Sequence, residues 1–413
     1  MKKANRDLIA LIATLLIIAT LLVVWFVMQP LGQDQAVIPP PTQTPQVLTE
    51  TTASPSPTPT LADAPLRHAT IRAVGDIMMH QDQLDAHKGK KGYSFDTAFV
   101  LIKDSLSSAD YTIGNLEGTI GKANNKGYTG FPAFNAPPAL LDSLKDAGFD
   151  MLTLANNHIL DRFYPGIEKT IANIEKVGFD HVGASRSAEE QAAPCIVDVN
   201  GIQIGMLAYT EHTNGMERYT DEEALKYCVN LLSKANFKKD VQALREAGAD
   251  LVFAFPHWGT EYEQGIDSAQ KKWTKKMVDA GVDVIIGSHP HVVQPIKYVK
   301  SSDGEHRALV AYSLGNFVGM MVDRYACAGI ILELEIEETE PGKFQVINPG
   351  YVPFYMWPGA VINGGRVVRP MPIMPHWNKT PKGMKSDKVK AMKQAYRDIR
   401  NLLGTNPAAP LDE

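Results

Sequence analysis

The sequence predicts a layered α/β domain, and three features of the chain from Ala69 onward support this prediction. Short apolar runs alternate with segments of helical periodicity. Glycine follows directly after several helical segments, where a left-handed C-cap favours it. The apolar runs are continuous rather than alternating, which is typical of strands whose sheet is covered on both faces. The repeated order of helix, glycine, short turn and strand indicates an α/β fold.

The predicted elements follow this order along the chain. The predicted strands are Ala69–Val74, Tyr111–Ile113, Met151–Leu154, Ile202–Ala208, Leu251–Phe255, Val282–Ile286 and Ala308–Tyr312. The predicted helices are Pro137–Ala147, Pro165–Val177, Lys234–Ala247 and Ser268–Ala280. Two antiparallel strands, Ile330–Ile336 and Phe344–Val352, are expected next. From Ser386 an amphipathic helix with a basic outer face is expected, which either docks on the domain or contacts an anionic polymer or lipid.

The N-terminal segment has the pattern of a membrane anchor. Leu8 to Met28 carry no charge and follow Lys2, Lys3 and Arg6. About twenty apolar residues cross a hydrocarbon core of about 30 Å, and the basic residues stay on the cytoplasmic side. A cleaved signal peptide would have a shorter apolar region and a small-residue cleavage site, so we favour an uncleaved anchor. The N-terminus is then inside, and the rest of the chain is extracytoplasmic.

These patterns divide the chain into four parts. Residues 1–28 form a cytoplasmic stub and transmembrane anchor, and residues 29–67 form a spacer rich in Pro, Thr and Ser. Such a composition buries too little apolar surface to fold, so the spacer is expected to be disordered. Residues 68–365 form the folded domain. Residues 366–413 form a C-terminal extension with the amphipathic basic helix.

Composition excludes several classes of protein. The 413 residues suffice for one large or two ordinary domains. The formal net charge of −5 argues against nucleic acid as a partner, because such proteins usually carry a basic surface. The three cysteines, Cys195, Cys228 and Cys327, are too few and too scattered for a disulfide scaffold or a thiolate zinc site.

Polar side chains follow nearly every predicted strand. In open α/β sheets, ligands bind beyond the carboxyl ends of the strands. Each residue alone has a structural explanation, such as a cap, a turn or a core histidine, but recurrence at successive strand ends favours one shared site. The candidate metal ligands are Asp76, Glu117, Asn157, His257, His289 and His291. The candidate substrate-binding residues are Asn156, Trp258, Glu261 and Asn316.

This set of carboxylate, amide and imidazole ligands suits a borderline divalent ion such as Mn²⁺, Fe²⁺ or Zn²⁺. It is large enough for one or two ions, a pair being bridged by one carboxylate. Two such ions can activate a water and stabilise a displaced oxygen. His158, beside Asn157, is then the candidate general acid that protonates the leaving group.

Six motifs together resemble those of CapA-type bacterial capsule synthesis proteins, of the poly-gamma-glutamate biosynthesis group in the calcineurin-like metallophosphoesterase superfamily. They are Gly75-Asp76-Ile77-Met78, Asn115-Leu116-Glu117, Asn156-Asn157-His158, His257-Trp258-Gly259, His289-Pro290-His291 and Ser313-Leu314-Gly315-Asn316-Phe317. The resemblance spans about Ile71 to Val318. It implies a four-layer α/β/β/α metallophosphatase-like sandwich, with Glu117 where the superfamily has its bridging aspartate.

The chain departs from the superfamily pattern at two points. Met78 stands where the usual Asp-x-His motif has its histidine, so either His80 replaces that ligand or the ligand is missing. The spacing from Asp161 to Gly166 is longer than the usual Asp-aromatic-Gly sequence.

Two functions follow from the residues and the resemblance. The first is a metal-dependent hydrolase or transferase outside the membrane, acting on a phosphoester or related bond in a capsule or surface polymer or its carrier. The alternative is a non-catalytic polymer-handling or export subunit that keeps the fold. An adhesin with a decayed site is a third interpretation. The expected partners are the cell membrane, the surface polymer and its synthesis machinery.

Overall fold

The computed structural model describes residues 66–121 and 127–404. The predicted anchor, 1–28, and almost all of the predicted spacer lie outside these residues. Within the described ranges, no helix is long and apolar enough to cross a membrane.

The strands in chain order are β1 (His68–Ile77), β2 (Lys88–Gly89), β3 (Gly92–Tyr93), β4 (Tyr111–Leu116), β5 (Met151–Thr153), β6 (Asp180–Val182), β7 (Ile196–Val199), β8 (Ile202–Thr210), β9 (Leu251–His257), β10 (Val284–Ile286), β11 (Ile296–Lys300), β12 (Arg307–Ala311), β13 (Asn316–Val318), β14 (Ala328–Glu340), β15 (Lys343–Ile362) and β16 (Gly365–Pro372). The α-helices are α1 (Gln81–His87), α2 (Asp96–Phe99), α3 (Lys103–Ser107), α4 (Ala139–Asp146), α5 (Phe163–Val177), α6 (Ala188–Ala192), α7 (Phe237–Glu246), α8 (Ser268–Asp279) and α9 (Ser386–Leu403). The 3₁₀ turns are Met216–Tyr219, Ala224–Lys226, Leu232–Lys234 and Met374–His376.

The fold is built around two mixed β-sheets. The first has the order β16-β15-β14-β1-β4-β5-β6, with β13 paired to β1. Its strands β1, β4, β5 and β6 are parallel, whereas β14, β15 and β16 are antiparallel. The second has the order β11-β12-β10-β9-β8-β7, parallel at its centre and antiparallel at both edges. The α/β prediction is confirmed.

The apolar residues form three clusters that define the layers. One cluster joins the facing sides of the two sheets, with Ile71 from β1 and Met206 from β8 among its members. A second covers the other face of the first sheet with helices α4 and α5, and a third covers the other face of the second sheet with α7 and α8. Helix, sheet, sheet and helix therefore follow one another, and the central strands are buried on both faces.

Local sequence signals explain where the helices begin and end. Helix α8 begins at a capping box in which Asp267 accepts a hydrogen bond from the Gln270 backbone at 2.8 Å, and the Gln270 side chain accepts one from the Asp267 backbone at 3.1 Å. Helix α5 ends at Gly178, whose φ of 80° is the left-handed conformation that glycine adopts readily. The predicted helices are confirmed to within three residues at either end.

The C-terminal helix docks on the domain. On α9, Met392, Ala395, Ile399 and Leu403 are buried in the cluster between the sheets. The docking interpretation of this helix is therefore the one that the structure supports. The predicted boundary between 365 and 366 falls inside β16, which pairs with β15 from Phe354↔Pro372 to Ile362↔Gly365. This strand therefore belongs to the first sheet and not to a separate extension.

Candidate metal centre

The six candidate metal ligands come from strand ends of both sheets. Asp76 is the last residue but one of β1, and Glu117 and Asn157 follow β4 and β5 of the first sheet. The second sheet contributes His257, the last residue of β9, and the histidines 289 and 291 after β10. All six side chains are buried. The parallel strands thus bring residues that are more than 200 positions apart to one place.

Glu117 is at the centre of this group. Its Oε1 lies 3.8 Å from Nε2 of His257 and 3.9 Å from Nε2 of His291. Two triads can each hold an ion with ligand atoms within 4.8 Å of one another, Glu117–His257–His289 and Asp76–Glu117–His291. Glu117 belongs to both triads, so the two groups would share its carboxylate if each held an ion.

Asp76 is aimed at the centre by an irregularity in β1. The register between β1 and β4 shifts between Val74 and Asp76, and such a bulge redirects the following side chain. Gly75 is required at the bulge, because a Cβ there would lie 1.8 Å from the Gly315 carbonyl oxygen. The Asp76 carboxylate then accepts a hydrogen bond from the Asn115 amide at 2.8 Å and lies 3.0 Å from Nδ1 of His291.

Asn157 and His257 approach each other across the two sheets. Nε2 of His257 lies 2.9 Å from Oδ1 of Asn157, and its Nδ1 lies 2.9 Å from the Ser288 hydroxyl. Ser288 therefore orients the ring from the far side, as a hydrogen bond to the second nitrogen commonly does for a histidine ligand.

Burial and neighbouring charges shift the pKa values at the centre. Burial, followed by the charge of Asp76, raises the pKa of Glu117 well above its usual range. Burial and the neighbouring histidines lower the pKa of His257 and bring that of His289 to about 3. For His291, burial lowers the pKa, but the carboxylates of Glu117 and Asp76 raise it to about 9. The two carboxylates therefore favour a cation beside them.

The residues present fit a divalent metal. Within the described part of the chain, neither carboxylate oxygen of Glu117 has a hydrogen-bond partner, and Nδ1 of His289 has none either. A buried carboxylate is costly unless it is paired or binds a metal. Carboxylate oxygens and imidazole nitrogens are the ligands that Mn²⁺, Fe²⁺ and Zn²⁺ accept.

His158 is held by a second carboxylate. Its Nδ1 lies 2.8 Å from Oδ2 of Asp161, which also accepts a hydrogen bond from the Phe134 backbone at 2.6 Å. The Phe134 ring packs edge-on against the imidazole at a centroid distance of 4.8 Å. Asp161 and Phe134 thus fix the ring orientation, and Nε2 is left without a hydrogen-bond partner among the residues that the structure describes. The longer spacing from Asp161 to Gly166 does not prevent Asp161 from reaching His158.

Three of the four predicted substrate-binding residues make buried hydrogen bonds within the fold. Trp258 is 0% exposed and donates a hydrogen bond from Nε1 to the Tyr312 carbonyl oxygen at 2.9 Å, within the core outside the second sheet. The Asn156 amide donates to the Leu116 carbonyl oxygen at 2.8 Å and accepts from the His158 backbone. The polar groups of both residues are buried and already paired within the fold, and their assignment as substrate contacts stays a prediction.

Asn316 is the third of these residues. It is fully buried, and its Oδ1 lies 2.9 Å from Nδ1 of His291 while its Nδ2 donates to backbone oxygens of His291 and Ala326. It therefore orients a candidate ligand, and its assignment as a substrate contact stays a prediction. Glu261 differs from the other three, since it is exposed and can join His289 and His291 in a further group of possible ligand atoms.

The position of the missing histidine is filled by an apolar side chain. Met78 is 1% exposed and lies in the core. His80 accepts a hydrogen bond from the Met320 backbone at 3.3 Å and belongs to none of the groups of possible ligand atoms found among the described residues. Burial and the charges of His291 and His158 lower the pKa of His80 to about 4. His80 therefore lies beside the centre and outside these groups.

Two residues of this neighbourhood, His212 and Glu211, were not predicted from the sequence. His212 follows β8, and its ring lies 5.3 Å from that of His289. The preceding residue, Glu211, accepts a hydrogen bond from the Gly259 backbone at 3.1 Å and so braces the loop after β9. The same strand-end rule would have found both residues, because they follow the predicted strand Ile202–Ala208 closely.

Fold and site together define an α/β protein with a buried carboxylate and imidazole centre at the strand ends. The family model described as "Bacterial capsule synthesis protein PGA_cap" matches residues 70–321, which is more than half of the chain. The chain belongs to this family.

Two curated relatives agree with this assignment. The capsule biosynthesis protein CapA of Bacillus anthracis is 32% identical over 270 residues, which are 63% of this chain and 63% of the relative. The PGA biosynthesis protein CapA of Bacillus subtilis is 28% identical over 279 residues, 66% of this chain and 69% of the relative. The chain thus matches about two thirds of the length of each.

Solved structures with partial similarity include two with phosphoesterase or nucleotidase names. The calcineurin-like phosphoesterase YfkN of Bacillus subtilis has a TM-score of 0.42 and 15% identity, covering 81% of this chain and 98% of that one. The NAD nucleotidase NadN of Haemophilus influenzae has a TM-score of 0.45 and 12% identity. The match covers 84% of this chain and 65% of that one.

Proposed function

We propose that this protein is a divalent-metal-dependent hydrolase or transferase that acts on a phosphoester or related bond during the synthesis of a capsule or surface polymer. The observation that carries the proposal is the Glu117 carboxylate, which is buried without a hydrogen-bond partner among the described residues and is shared by two groups of possible ligands. Membership of the capsule synthesis family supports the cellular role.

Two ions would be held by the residues already described. Asp76, Glu117 and His291 form one group, and Glu117, Asn157, His257 and His289 form the other. A divalent ion supplies Lewis acidity to a phosphoryl oxygen and lowers the pKa of the attacking water. Mn²⁺, Fe²⁺ and Zn²⁺ all fit this donor set.

The proton needed by the leaving oxygen comes from His158. Its Nδ1–H donates to Asp161, so the proton that is transferred must be carried by Nε2. Asp161 acts as the positioning residue and stabilises the protonated ring. Glu261 and Tyr262 lie at the mouth of the site, where both are exposed and where the Tyr262 ring is 6.0 Å from that of His291. They are placed to contact the non-reacting part of a substrate.

The cellular location and the binding partners of the protein are also part of the proposal. The uncharged run from Leu8 to Met28 supports a single-pass anchor with the domain outside the cytoplasm. The names of the two CapA relatives concern capsule and PGA biosynthesis. We therefore propose a polymer of the poly-gamma-glutamate type and its synthesis machinery as partners.

Activity is tested with the full-length protein, Mn²⁺ and an unactivated dialkyl phosphodiester, whose leaving oxygen needs a proton, by measuring the alcohol released. Hydrolysis is expected for the wild type. His158→Ala should lose about 10²–10⁴-fold in kcat, the usual contribution of a general acid, while its metal content stays unchanged. Asp161→Asn should lose activity as well and shift the pH profile, since the Nδ1 partner is altered. His306→Ala, at a half-buried histidine that directly precedes β12, is the matched control. If His158→Ala were as active as the control, the assignment of His158 as the general acid would be refuted.

A non-catalytic polymer-handling subunit is the second candidate. The observation in its favour is Met78, which places an apolar side chain where the superfamily pattern has a ligand. This candidate predicts no turnover of any phosphoester and no more than one ion in each chain. Turnover with two ions in each chain would exclude it.

A further inference from the structure

Basic residues are concentrated in and just before helix α9. Residues 379–400 contain eight Lys or Arg and two Asp, which is a net charge of +6 in a chain whose net charge is −5. Most of this segment is α9, which docks on the domain through buried side chains such as Met392 and Ile399. The helix therefore has one face fixed by the core and an opposite face that is strongly basic.

The outward face of α9 is a stripe of four cations. Three or four positions separate each cation from the next, so the four lie along one side of the helix over about 15 Å. They are Lys390, Lys393, Arg397 and Arg400, each of them exposed or half-buried, and we call them the basic stripe. The polar residues Ser386 and Asn401 complete this face, which carries no apolar side chain.

Within the described residues, the basic stripe has no partner that neutralises it. None of its four cations forms an ion pair there, and the two acidic residues of α9 are engaged elsewhere. Asp398 pairs with Arg324 at 2.6 Å, and Asp387 lies 3.6 Å from Lys388. Like charges three or four positions apart destabilise a helix. The helix dipole favours a cation only in the last turn, so it accounts for Arg400 and leaves the rest of the stripe unexplained by the fold.

Two aromatic rings hold part of the basic stripe in place. Nζ of Lys393 lies 4.8 Å from the centroid of the Trp377 ring, and Cζ of Arg400 lies 5.9 Å from that of the Tyr396 ring. The two rings pack against each other at a centroid distance of 5.2 Å. Side chains that are restricted before binding lose less conformational entropy when they bind.

We propose that the basic stripe is a docking surface for an extended polycarboxylate chain. Cations that recur about every 5 Å along a line complement a polymer that carries one carboxylate in each repeat unit. A membrane is the less suitable partner, because helices that bind a membrane surface insert an apolar face, and the apolar face of α9 is buried in the domain. The inference rests on the proposed function, whose polymer partner it assigns to residues outside the candidate metal centre.

Counterion release sets the expected dependence on salt. For a single-stranded polyanion, each cation that it contacts contributes about 0.7 to the slope of log affinity against log salt concentration. Four contacts then give a slope of about −3, so the affinity should fall about 50-fold between 50 and 200 mM NaCl. With two of the four cations removed, the slope should be about −1.4 and the fall about sevenfold.

The test measures the binding of fluorescein-labelled polyglutamate to the full-length protein in phosphatidylcholine nanodiscs, by fluorescence anisotropy at the two salt concentrations. Lys390→Gln with Lys393→Gln removes two cations of the basic stripe, and arginine at the same two positions is the conservative variant. Lys272→Gln with Lys276→Gln, at two exposed lysines of α8, is the matched control. Hydrolysis of the dialkyl phosphodiester is measured for every variant.

The wild type, the arginine variant and the α8 control should bind polyglutamate with the steep salt dependence. The glutamine variant of the basic stripe should bind more weakly and with about half the slope, while all four proteins hydrolyse the phosphodiester equally. Equal binding by the two glutamine variants, or no binding by the wild type, would overturn the docking surface and leave the proposed hydrolysis intact. The same holds if the wild type binds phosphatidylglycerol vesicles but not polyglutamate. Binding without hydrolysis in any variant would support the docking surface while the proposed catalytic function fails.

Discussion

Replacing Glu117 with glutamine should have opposite effects on the metal-free and the metal-loaded protein. Burial and Asp76 raise the pKa of Glu117 in the fold, so the unfolded chain releases this proton more readily than the native protein does. The metal-free wild type is therefore expected to lose stability as the pH rises above about 4.3, the ordinary carboxyl value. Glu117→Gln carries no charge and should lack this loss.

The size of the stability difference between the wild type and Glu117→Gln follows from the cost of burying the carboxylate. An unsatisfied buried polar group costs about 1–3 kcal/mol, and more when it is charged. We expect metal-free Glu117→Gln to be at least as stable as the wild type at pH 7.5. At pH 4 the variant should no longer be more stable than the wild type. Added Mn²⁺ at about 100 times its Kd should stabilise the wild type by about 2.7 kcal/mol and the variant hardly at all.

Thermal unfolding followed by circular dichroism measures both effects. At about 2–4 °C for each kcal/mol in a domain of this kind, Mn²⁺ should raise the Tm of the wild type by about 5–10 °C. Glu305→Gln, at an exposed glutamate, is the control and should behave as the wild type in every condition. An unchanged Mn²⁺ shift in Glu117→Gln would refute the bridging position of this carboxylate.

Three further predictions concern the core, the thiols and the protons of the centre. Trp258→Ala should lower the free energy of unfolding by about 3–5 kcal/mol in a denaturant titration, because the indole is fully buried, and Trp258→Phe should cost less. Burial raises the pKa of Cys195 to about 12, and those of Cys228 and Cys327 to about 11. The native thiols should therefore react with a disulfide reagent at pH 8 at least about 100-fold more slowly than the three thiols of the unfolded chain. Because Glu117 and Asp76 hold the pKa of His291 at about 9 against the effect of burial, a bound ion must displace its proton. Calorimetric Mn²⁺ affinity should thus rise about tenfold for each pH unit from 7 to 8.5, and a flat profile would contradict the protonated His291.

The central strands were predictable because their apolar runs are continuous. The predicted run Leu251–Phe255 lies inside β9, and Ala69–Val74 lies inside β1. The last strands were harder. β16 contains Pro370 and Pro372, which a strand tolerates at the edge of a sheet, and β15 is interrupted in sequence by several prolines and glycines. Only pairing with β14 and β16 shows that β15 runs as one element from Lys343 to Ile362.

The ligands of the candidate centre were predictable from topology, but the roles of their neighbours were not. Parallel strand ends meet at one edge, so the rule that found Asp76 also found His257. Side-chain direction was the missing information. Trp258 directly follows His257, and successive residues of a strand face opposite sides, so Trp258 points into the outer core. That alternation could have separated the ligand from the core residue without a structure.

The number of metal ions in each chain tests the central claim most directly. The full-length protein is dialysed against Mn²⁺, Fe²⁺ or Zn²⁺, freed of excess metal, and its metal content is measured by elemental mass spectrometry. A shared Glu117 predicts close to two ions in each wild-type chain and close to none in Glu117→Gln. No metal in the wild type with any of the three ions, or equal metal in both proteins, would contradict the account.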